Sequence, residues 1–558
     1  MTEMLVESGV AVPMRDGVVL QADVYRPATG RVPAILNRTP YNRSFNLTPA
    51  AAIEPERAVE AGFALVCQDV RGQHGSDGEF YPFRNERDDG YDSVEWAAAQ
   101  PWCDGAVGMA GRSYSAATQW LAAAARPPHL RAICPVVVGS DPYGGWIYQG
   151  GAFQLGFNLF WVSMMSTRKA RRSLAESFAH LPLSSPPLLD ESPAGAFYRD
   201  WLAHPADDGY WHALAISHQY PLVEVPVLNV GGWYDLFLGG TLENYRGIRE
   251  RGGSELAREA SRLLVGPWAH GTTYGAFPDH SFDAFSPHDG IDFAAVQLAF
   301  LGRHLRGDKG PELAPVRVFQ MGTNVWREEE RWPPPAAGEQ RWYLHADAGP
   351  GAAGTLSPQP PEVDPRPPST YVHDPLDPVP TIGGPTSLPA RFMRTNAGPL
   401  DQRKLLERPD VLVFRSAPLE RPLGLCGPLA LVLHAATSAA DTDFVGRLCD
   451  EAPDGTCTIL VEGVRRARYR EGFDRPRPIR TGAVLAYEID LVATCAELGA
   501  GHRLCLIVAS SSFPRFDRNL GTGAELGSEV EADAVRAEQS IFHDGPRPSH
   551  LRLTVEVR

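Results

Sequence analysis

Three residues of the chain have the types and the order that nucleophilic catalysis requires. They are Ser113 in the run GRSYSA, Asp235 in GGWYD and His270 in GPWAH. A serine hydroxyl is a weak nucleophile until a base removes its proton, and this base is usually a histidine held by a carboxylate. The three residues therefore predict a Ser-His-Asp triad, provided that the fold brings them together.

The surroundings of Ser113 match the strand–turn–helix setting of a nucleophilic serine. The run GRSYS departs from the pattern G-x-S-x-G because Ser115 stands at its last position, and Ala116 follows. A strand is predicted before Ser113, and an alanine-rich helix is predicted over 115–125. Ser113 would then lie at a helix N-terminus, where backbone N–H groups favour a developing oxyanion. The alternative is that Ser113 is only the N-cap of this helix.

The proposed acid and base each follow a predicted strand. Asp235 comes after the strand predicted over 225–231, and His270 comes after the one over 262–266. Open α/β sheets place their sites beyond the carboxyl ends of strands, and α/β-hydrolases have the chain order Ser, Asp, His. Alone, the aspartate could be a turn residue, and the histidine is one of 16 in the chain. The joint pattern favours catalysis over these alternatives.

The elements that must position the three residues indicate an α/β fold followed by an all-β part. Short apolar strands alternate with helices up to about residue 140 and again from 225 to 305, which favours an α/β sheet. The aromatic segment between these stretches is predicted to be a helical insertion, which includes a helix over 169–180. A Pro-rich linker is predicted over 333–368, and the strands after it suggest a jelly roll. We therefore expect a split α/β-hydrolase domain (1–144 and 221–350), a helical cap (145–220) and a jelly-roll domain (351–558).

The composition excludes several classes of function. The chain has 558 residues and a net charge of −15, and an acidic surface argues against nucleic acid as a partner. No signal peptide and no membrane span are expected at or after the N-terminus. The eight cysteines are scattered without metal-ligand spacing, which predicts neither a zinc site nor a dense disulfide framework and fits a reducing cytoplasm. The oligomeric state is left open, with a homo-oligomer as one alternative.

The chain resembles the serine hydrolase family that contains bacterial cocaine esterase, α-amino-acid ester hydrolases, glutaryl acylases and X-prolyl dipeptidyl peptidases. The resemblance covers essentially the whole chain and is closest to the cocaine-esterase branch. Besides the three runs above, the shared motifs are RDGVVL, RTPY, DVRG, SDGEF, HPADD, DTDF, RYRE and SSFPRFDRN. One departure is Ala116, where the family usually has glycine.

The resemblance implies the same three domains and adds residues that the pattern alone does not reveal. It implies that the phenol of Tyr41 and the backbone N–H of Tyr114 hold the oxyanion. For Tyr41 the more common role would be a buried aromatic with a bonded hydroxyl. No metal or organic cofactor is needed for this chemistry.

The substrate is less determined, because the family cleaves both esters and amides. Candidates for an apolar substrate pocket are Phe237, Trp146 and Trp161, although such aromatics are more often core residues. Asp207 and Asp208 could hold a substrate ammonium. We expect a small-molecule carboxylic ester as substrate. An amide or peptide is the alternative, and an inactive hydrolase that serves as a binding protein is the third.

Overall fold

Two large sheets follow each other along the chain. The computed structural model describes residues 3–44, 53–166, 174–189, 192, 194–271, 275–278, 280–282, 291–346, 349–350, 354–388 and 397–556. Within these ranges, a ten-stranded sheet uses residues 4–329 and a thirteen-stranded sheet uses residues 337–556. The predicted fold class, an α/β-hydrolase with a mostly β C-terminal part, is confirmed.

The chain begins with one side of the ten-stranded sheet. Its strands are β1 (Met4–Pro13), β2 (Val19–Pro27), β3 (Val32–Thr39), β4 (Ala64–Asp69), β5 (Cys103–Arg112) and β6 (Leu130–Val136), and its helices are α1 (Pro55–Glu60), α2 (Glu86–Ala98) and α3 (Tyr114–Ala124). From β3 to β6 the pairing is parallel. Every residue of β4 is buried, as expected for a strand covered on both faces.

A mostly helical segment follows β6, and we call residues 145–220 the insertion. It contains the hairpin of β7 (Tyr148–Gln149) and β8 (Ala152–Phe153) and the helices α4 (Leu155–Met165), α5 (Leu174–Ala179), α6 (Gly195–Ala203) and α7 (Gly209–His212). Its buried aromatic residues share one hydrophobic core with α3. The first part of the helix predicted over 169–180 lies outside the described residues. That the insertion is a separate cap domain stays a prediction.

The ten-stranded sheet then resumes. Its further elements are β9 (Leu228–Tyr234), α8 (Leu238–Arg251), α9 (Glu255–Ala260), β10 (Arg262–Ala269), the hairpin β11 (Ala276–Phe277) and β12 (His280–Ser281), α10 (Phe293–Arg306), β13 (Val316–Gln320) and β14 (Val325–Glu329). The strand order is β1-β2-β4-β3-β5-β6-β9-β10-β13-β14. Because β5, β6, β9 and β10 are parallel neighbours, their carboxyl ends meet at one edge of the sheet.

The C-terminal part is built almost entirely of strands. They are β15 (Ala337–Ala346), β16 (Gly349–Pro350), β17 (Gly354–Ser357), β18 (Ser369–His373), β19 (Leu412–Ser416), β20 (Leu423–Thr437), β21 (Asp443–Glu451), β22 (Cys457–Arg466), β23 (Leu485–Leu498), β24 (Arg503–Ala509), β25 (Ala537–Asp544), β26 (Arg547–Pro548) and β27 (His550–Glu556), with one short helix, α11 (Arg403–Leu406). Most of their pairings are antiparallel.

Strand β15 lies within the linker predicted over 333–368 and before the domain boundary predicted after residue 350, and the division into domains stays a prediction. Strand β15 pairs with β27 over seven registered positions and also with β17, so it belongs to the C-terminal sheet. Polar and half-buried residues dominate β15. The strand therefore lacks the apolar run that marks the other strands in the sequence.

One disulfide and six free cysteines are present in the described chain. Cys426 on β20 and Cys495 on β23 are direct cross-strand partners and form a disulfide. The other six cysteines are free and buried. The sequence pattern does not reveal this bond, because 69 residues separate its two cysteines. Among the described helices, none is long and apolar enough to cross a membrane.

Candidate active site

The register of two neighbouring strands brings Asp235 next to His270. In the parallel pair β9–β10, Gly232 lies opposite Gly266 and Tyr234 lies opposite Ala269. A Cβ at Gly232 would come within 2.4 Å of the backbone oxygen of Trp268, so only glycine permits this close approach. Asp235, the predicted acid, directly follows β9, and His270, the predicted base, directly follows β10.

Ser113 occupies a sharp turn between β5 and α3. Its backbone has φ 56° and ψ −125°, a conformation that non-glycine residues rarely adopt and that is held by its surroundings. The Ser113 N–H donates to the carbonyl of Val136 at 2.9 Å, and the Ser113 carbonyl accepts from Ala116 and Ala117. Gly111 just before it has φ 152°, and a Cβ there would come within 2.8 Å of Ser115 Cβ. Backbone hydrogen bonds therefore hold Ser113 in the turn, and the nearby Ser115 side chain requires glycine at position 111.

Ser113, His270 and Asp235 form a continuous hydrogen-bonded chain. Ser113 Oγ lies 3.0 Å from His270 Nε2, and His270 Nδ1 lies 2.9 Å from Asp235 Oδ2. The other carboxylate oxygen, Oδ1, accepts the backbone N–H of Phe237 at 2.7 Å. A carboxylate only accepts hydrogen bonds, so the imidazole proton is on Nδ1 and Nε2 is free to accept from the serine. Although Ser113 stands at the N-cap position of α3, its hydroxyl makes no capping bond.

Tyr41, which follows the end of β3, lies beside Ser113. Its phenol oxygen contacts the side chain of Ser113 and the backbone N–H of Tyr114 and accepts the indole N–H of Trp161 at 2.9 Å. Burial raises the pKa of the Tyr41 phenol, although these hydrogen bonds oppose the rise. The phenol therefore keeps its proton at neutral pH and can donate it. Two donors, this O–H and the Tyr114 N–H, therefore lie beside Ser113.

The side chain of Tyr114 is clamped by a buried ion pair that the sequence analysis missed. The Tyr114 hydroxyl donates to Glu86 Oε1 at 2.9 Å and accepts the backbone N–H of Phe83 at 2.8 Å. Glu86 Oε2 in turn accepts from Arg38 at 2.7 Å. Burial raises the pKa of the Glu86 carboxyl, and the Arg38 guanidinium opposes that rise. No sequence signal marks this network, since its members lie on β3, α2 and α3.

Of the three aromatic residues predicted to bind substrate, Phe237 contacts the triad directly, and Trp146 and Trp161 pack on residues next to it. The ring of Phe237 lies edge-on to His270 with centroids 5.0 Å apart, and it stacks on Trp146 at 4.6 Å. Trp161 stacks on Tyr114 at 5.8 Å. All three side chains are at most 2% exposed. Phe157 also lies edge-on to His270, with centroids 5.9 Å apart.

Asp207 and Asp208 have local partners instead. Asp208 caps α7 through the N–H of Tyr210 and lies 2.8 Å from His204 Nδ1, and Asp207 lies 3.1 Å from His212 Nε2. In the described part of the chain, the hydrogen bonds and ion pairs of the two carboxylates all run to residues 204–212. A role in binding a substrate ammonium stays a prediction.

Comparison with known families gives matches over most of the chain. Residues 16–272 match the model of the X-Pro dipeptidyl-peptidase (S15 family), and residues 311–552 match that of the X-Pro dipeptidyl-peptidase C-terminal non-catalytic domain. Cocaine esterase of Rhodococcus sp. (strain MB1 Bresler) is 35% identical over 585 residues, with 99% of each chain covered.

Solved structures agree with the fold. An α-amino acid ester hydrolase superimposes with a TM-score of 0.86 at 26% identity, covering 99% of this chain and 97% of that one. An aminopeptidase from the marine sediment archaeon Thaumarchaeota archaeon has a TM-score of 0.87 at 24% identity, covering 100% and 97%. The two family models and the relative at 35% identity show that the chain belongs to the X-Pro dipeptidyl-peptidase (S15) family and is a serine hydrolase.

Proposed function

We propose that the chain hydrolyses carboxylic esters of small molecules through an acyl-enzyme on Ser113. The observation that carries this proposal is the hydrogen-bonded chain Ser113–His270–Asp235 at the strained turn, with Tyr41 and the Tyr114 N–H beside it. The similarity to cocaine esterase over the whole chain supports an ester as substrate.

The reaction has two steps of the same kind. Ser113 Oγ attacks the substrate carbonyl carbon while its proton passes to His270 Nε2. Asp235 stabilises the resulting imidazolium, and Tyr41 O–H and Tyr114 N–H donate to the oxyanion. The protonated imidazole then gives its proton to the leaving alcohol. Water repeats the sequence on the acyl-enzyme, which releases the carboxylic acid and restores Ser113.

An amide or peptide substrate is the second candidate, and the family to which the chain belongs favours keeping it. X-Pro dipeptide cleavage requires an anchor for a substrate ammonium. Of the two predicted anchors, Asp208 is hydrogen-bonded to His204, whereas Asp207 Oδ1 lies 3.1 Å from His212 Nε2 and is buried without a hydrogen-bond partner among the described residues. The ester remains the first choice because of the similarity to cocaine esterase. The proposed location is the cytoplasm, which the six buried free thiols support.

The test uses a panel of p-nitrophenyl esters and matched p-nitroanilides, with a fluorophosphonate label located by mass spectrometry. Ser113→Ala is expected to lower kcat by at least about 10⁴-fold and to abolish labelling. The control is Ser115→Ala, which deletes a hydroxyl two residues away and should keep both turnover and label.

The outcomes separate the alternatives. Turnover of the esters with a label on Ser113 supports the proposed function. A preference for anilides with a free α-amine would indicate a peptide, rather than an ester, as the substrate. A folded wild-type protein with neither turnover nor label would favour a binding protein. Normal turnover by Ser113→Ala would remove the nucleophile assignment.

A further inference from the structure

One residue of the insertion contacts both residues that would supply the oxyanion donors. Trp161 lies on α4 and is 1% exposed. Its indole N–H donates to the phenol oxygen of Tyr41 at 2.9 Å. Its ring stacks on that of Tyr114, with centroids 5.8 Å apart and planes 17° from parallel. Trp161 therefore contacts the phenol of Tyr41 directly and packs on the side chain of Tyr114, whose backbone N–H is the other donor.

The hydrogen bond to Tyr41 constrains where the phenol proton can point. A phenol oxygen has one proton and accepts through its lone pairs. Because the oxygen accepts the indole N–H and also contacts the Tyr114 N–H, its own proton must point away from both, and Ser113 is the remaining contact. Hydrogen bonds in such a series also polarise each other, so accepting from Trp161 makes the Tyr41 O–H a stronger donor.

A second tryptophan of the same cluster offers a natural comparison. Trp146 is also buried, at 2% exposed, and its ring lies edge-on to Trp161 with centroids 6.2 Å apart. Its indole Nε1 is buried without a hydrogen-bond partner among the described residues. The two side chains thus share size and surroundings, and they differ in whether the N–H reaches the oxyanion site.

We propose that Trp161 is a positioning residue, which orients and polarises the Tyr41 hydroxyl through its indole N–H and so couples the insertion to oxyanion stabilisation. The proposal rests on the proposed function, because it assumes that Tyr41 donates to the oxyanion. It assigns Trp161 a role in kcat, whereas a residue that only lines the acyl pocket would act on KM and on the choice of acyl group.

The test is a double-mutant cycle on p-nitrophenyl ester hydrolysis. Trp161→Phe keeps an aromatic ring and removes the N–H. In the wild-type background it should lower kcat about five- to tenfold with KM nearly unchanged, as the loss of one hydrogen bond predicts. Tyr41→Phe alone should lower kcat about 10²- to 10³-fold. In the Tyr41→Phe background, Trp161→Phe should have almost no further effect on kcat, because the group it orients is gone.

Trp146→Phe is the matched control for packing. Whatever its effect on KM or kcat, that effect should be the same in the wild-type and the Tyr41→Phe backgrounds. Active sites are counted by fluorophosphonate labelling, so that kcat refers to folded enzyme only. If Trp161→Phe does not fold, benzothienylalanine placed at position 161 keeps the bicyclic shape without the N–H, and a kcat lower by about five- to tenfold is again expected.

Two results would overturn the proposal. One is an equal loss of kcat from the Trp161 variant in both backgrounds, and the other is a change in KM alone. Failure of the proposed function looks different, because then Ser113→Ala keeps its turnover or Tyr41→Phe has no effect on kcat.

Discussion

Replacing Asp235 by asparagine is expected to remove most activity although the side chain hardly changes shape. Asp235 Oδ1 accepts the Phe237 N–H at 2.7 Å, and Oδ2 faces His270 Nδ1 at 2.9 Å. In asparagine one of these oxygens becomes an NH₂ group. The Phe237 N–H requires the remaining oxygen, so the NH₂ must face Nδ1. His270 then carries its proton on Nε2, which can no longer take the proton of Ser113.

The size of the loss follows from the burial of this contact. If the asparagine amide were flipped, its NH₂ group would face the Phe237 N–H, and two donors would oppose each other. Because this side chain is 1% exposed, the Phe237 N–H would lack a partner, at a cost of about 1–3 kcal/mol. Loss of the negative charge removes stabilisation of the imidazolium as well. Together these effects should lower kcat on the order of 10⁴-fold, or about 5 kcal/mol in the activation free energy.

The assay compares kcat for a p-nitrophenyl ester and the rate of fluorophosphonate labelling in two variants of Asp235. The alanine variant also loses the carboxylate but does not dictate the tautomer of His270. We therefore expect it to be at least as active as the asparagine variant, even though asparagine is the closer match in shape. An asparagine variant within about tenfold of the wild type, or clearly more active than the alanine variant, would refute the tautomer argument.

Two further predictions concern stability. Arg466 holds Asp443 at 2.8 and 2.9 Å and Asp517 at 2.9 Å in a buried cluster. Arg466→Met should lower the free energy of unfolding in urea by about 3–5 kcal/mol, because two buried carboxylates lose their partner, whereas the exposed Arg341→Met should change it by less than about 0.5 kcal/mol. Burial and nearby arginines lower the pKa of His304 from 6.5 to about 4. His304 of the unfolded chain therefore binds a proton below about pH 6.5, whereas His304 of the folded chain binds one only below about pH 4. The free energy of unfolding should therefore decrease as the pH is lowered from 6.5 to 4. In urea titrations at about pH 7, 5.5 and 4.5, His304→Gln should show a smaller fall, and an equal fall would contradict this assignment.

The parts of the fold that could be predicted are those with local signals. Buried parallel strands such as β4 are continuous apolar runs, and α3 is rich in alanine, so both are visible within a short window. Strand β15 has few fully buried residues and depends on its pairing with β27, at the far end of the chain. The Cys426–Cys495 bond likewise depends on the register of β20 and β23. Pairings of this kind leave no mark in the local sequence.

The candidate site divides in the same way. Ser113, Asp235 and His270 could be predicted because each follows a strand and the ends of parallel strands meet at one edge. Tyr41 could be predicted only from the resemblance to a family. Its contact with Trp161, which donates to its hydroxyl, joins residues that are 120 positions apart and leaves no local signal. The hydrogen bond between Glu86 and Tyr114 was not predicted, because an acidic residue such as Glu86 is common at the start of a helix.

The departure of this chain from its family at Ala116 is explained by where the strain of the turn lies. The unusual backbone conformations are confined to Gly111 and Ser113, at φ 152° and 56°. Ala116 is the third residue of α3, where the backbone is helical and any L-residue fits. Its methyl group is fully buried in the core that α3 shares with the insertion. Alanine is also the better helix former by about 1 kcal/mol. Alanine at this position is therefore compatible with the turn that holds Ser113.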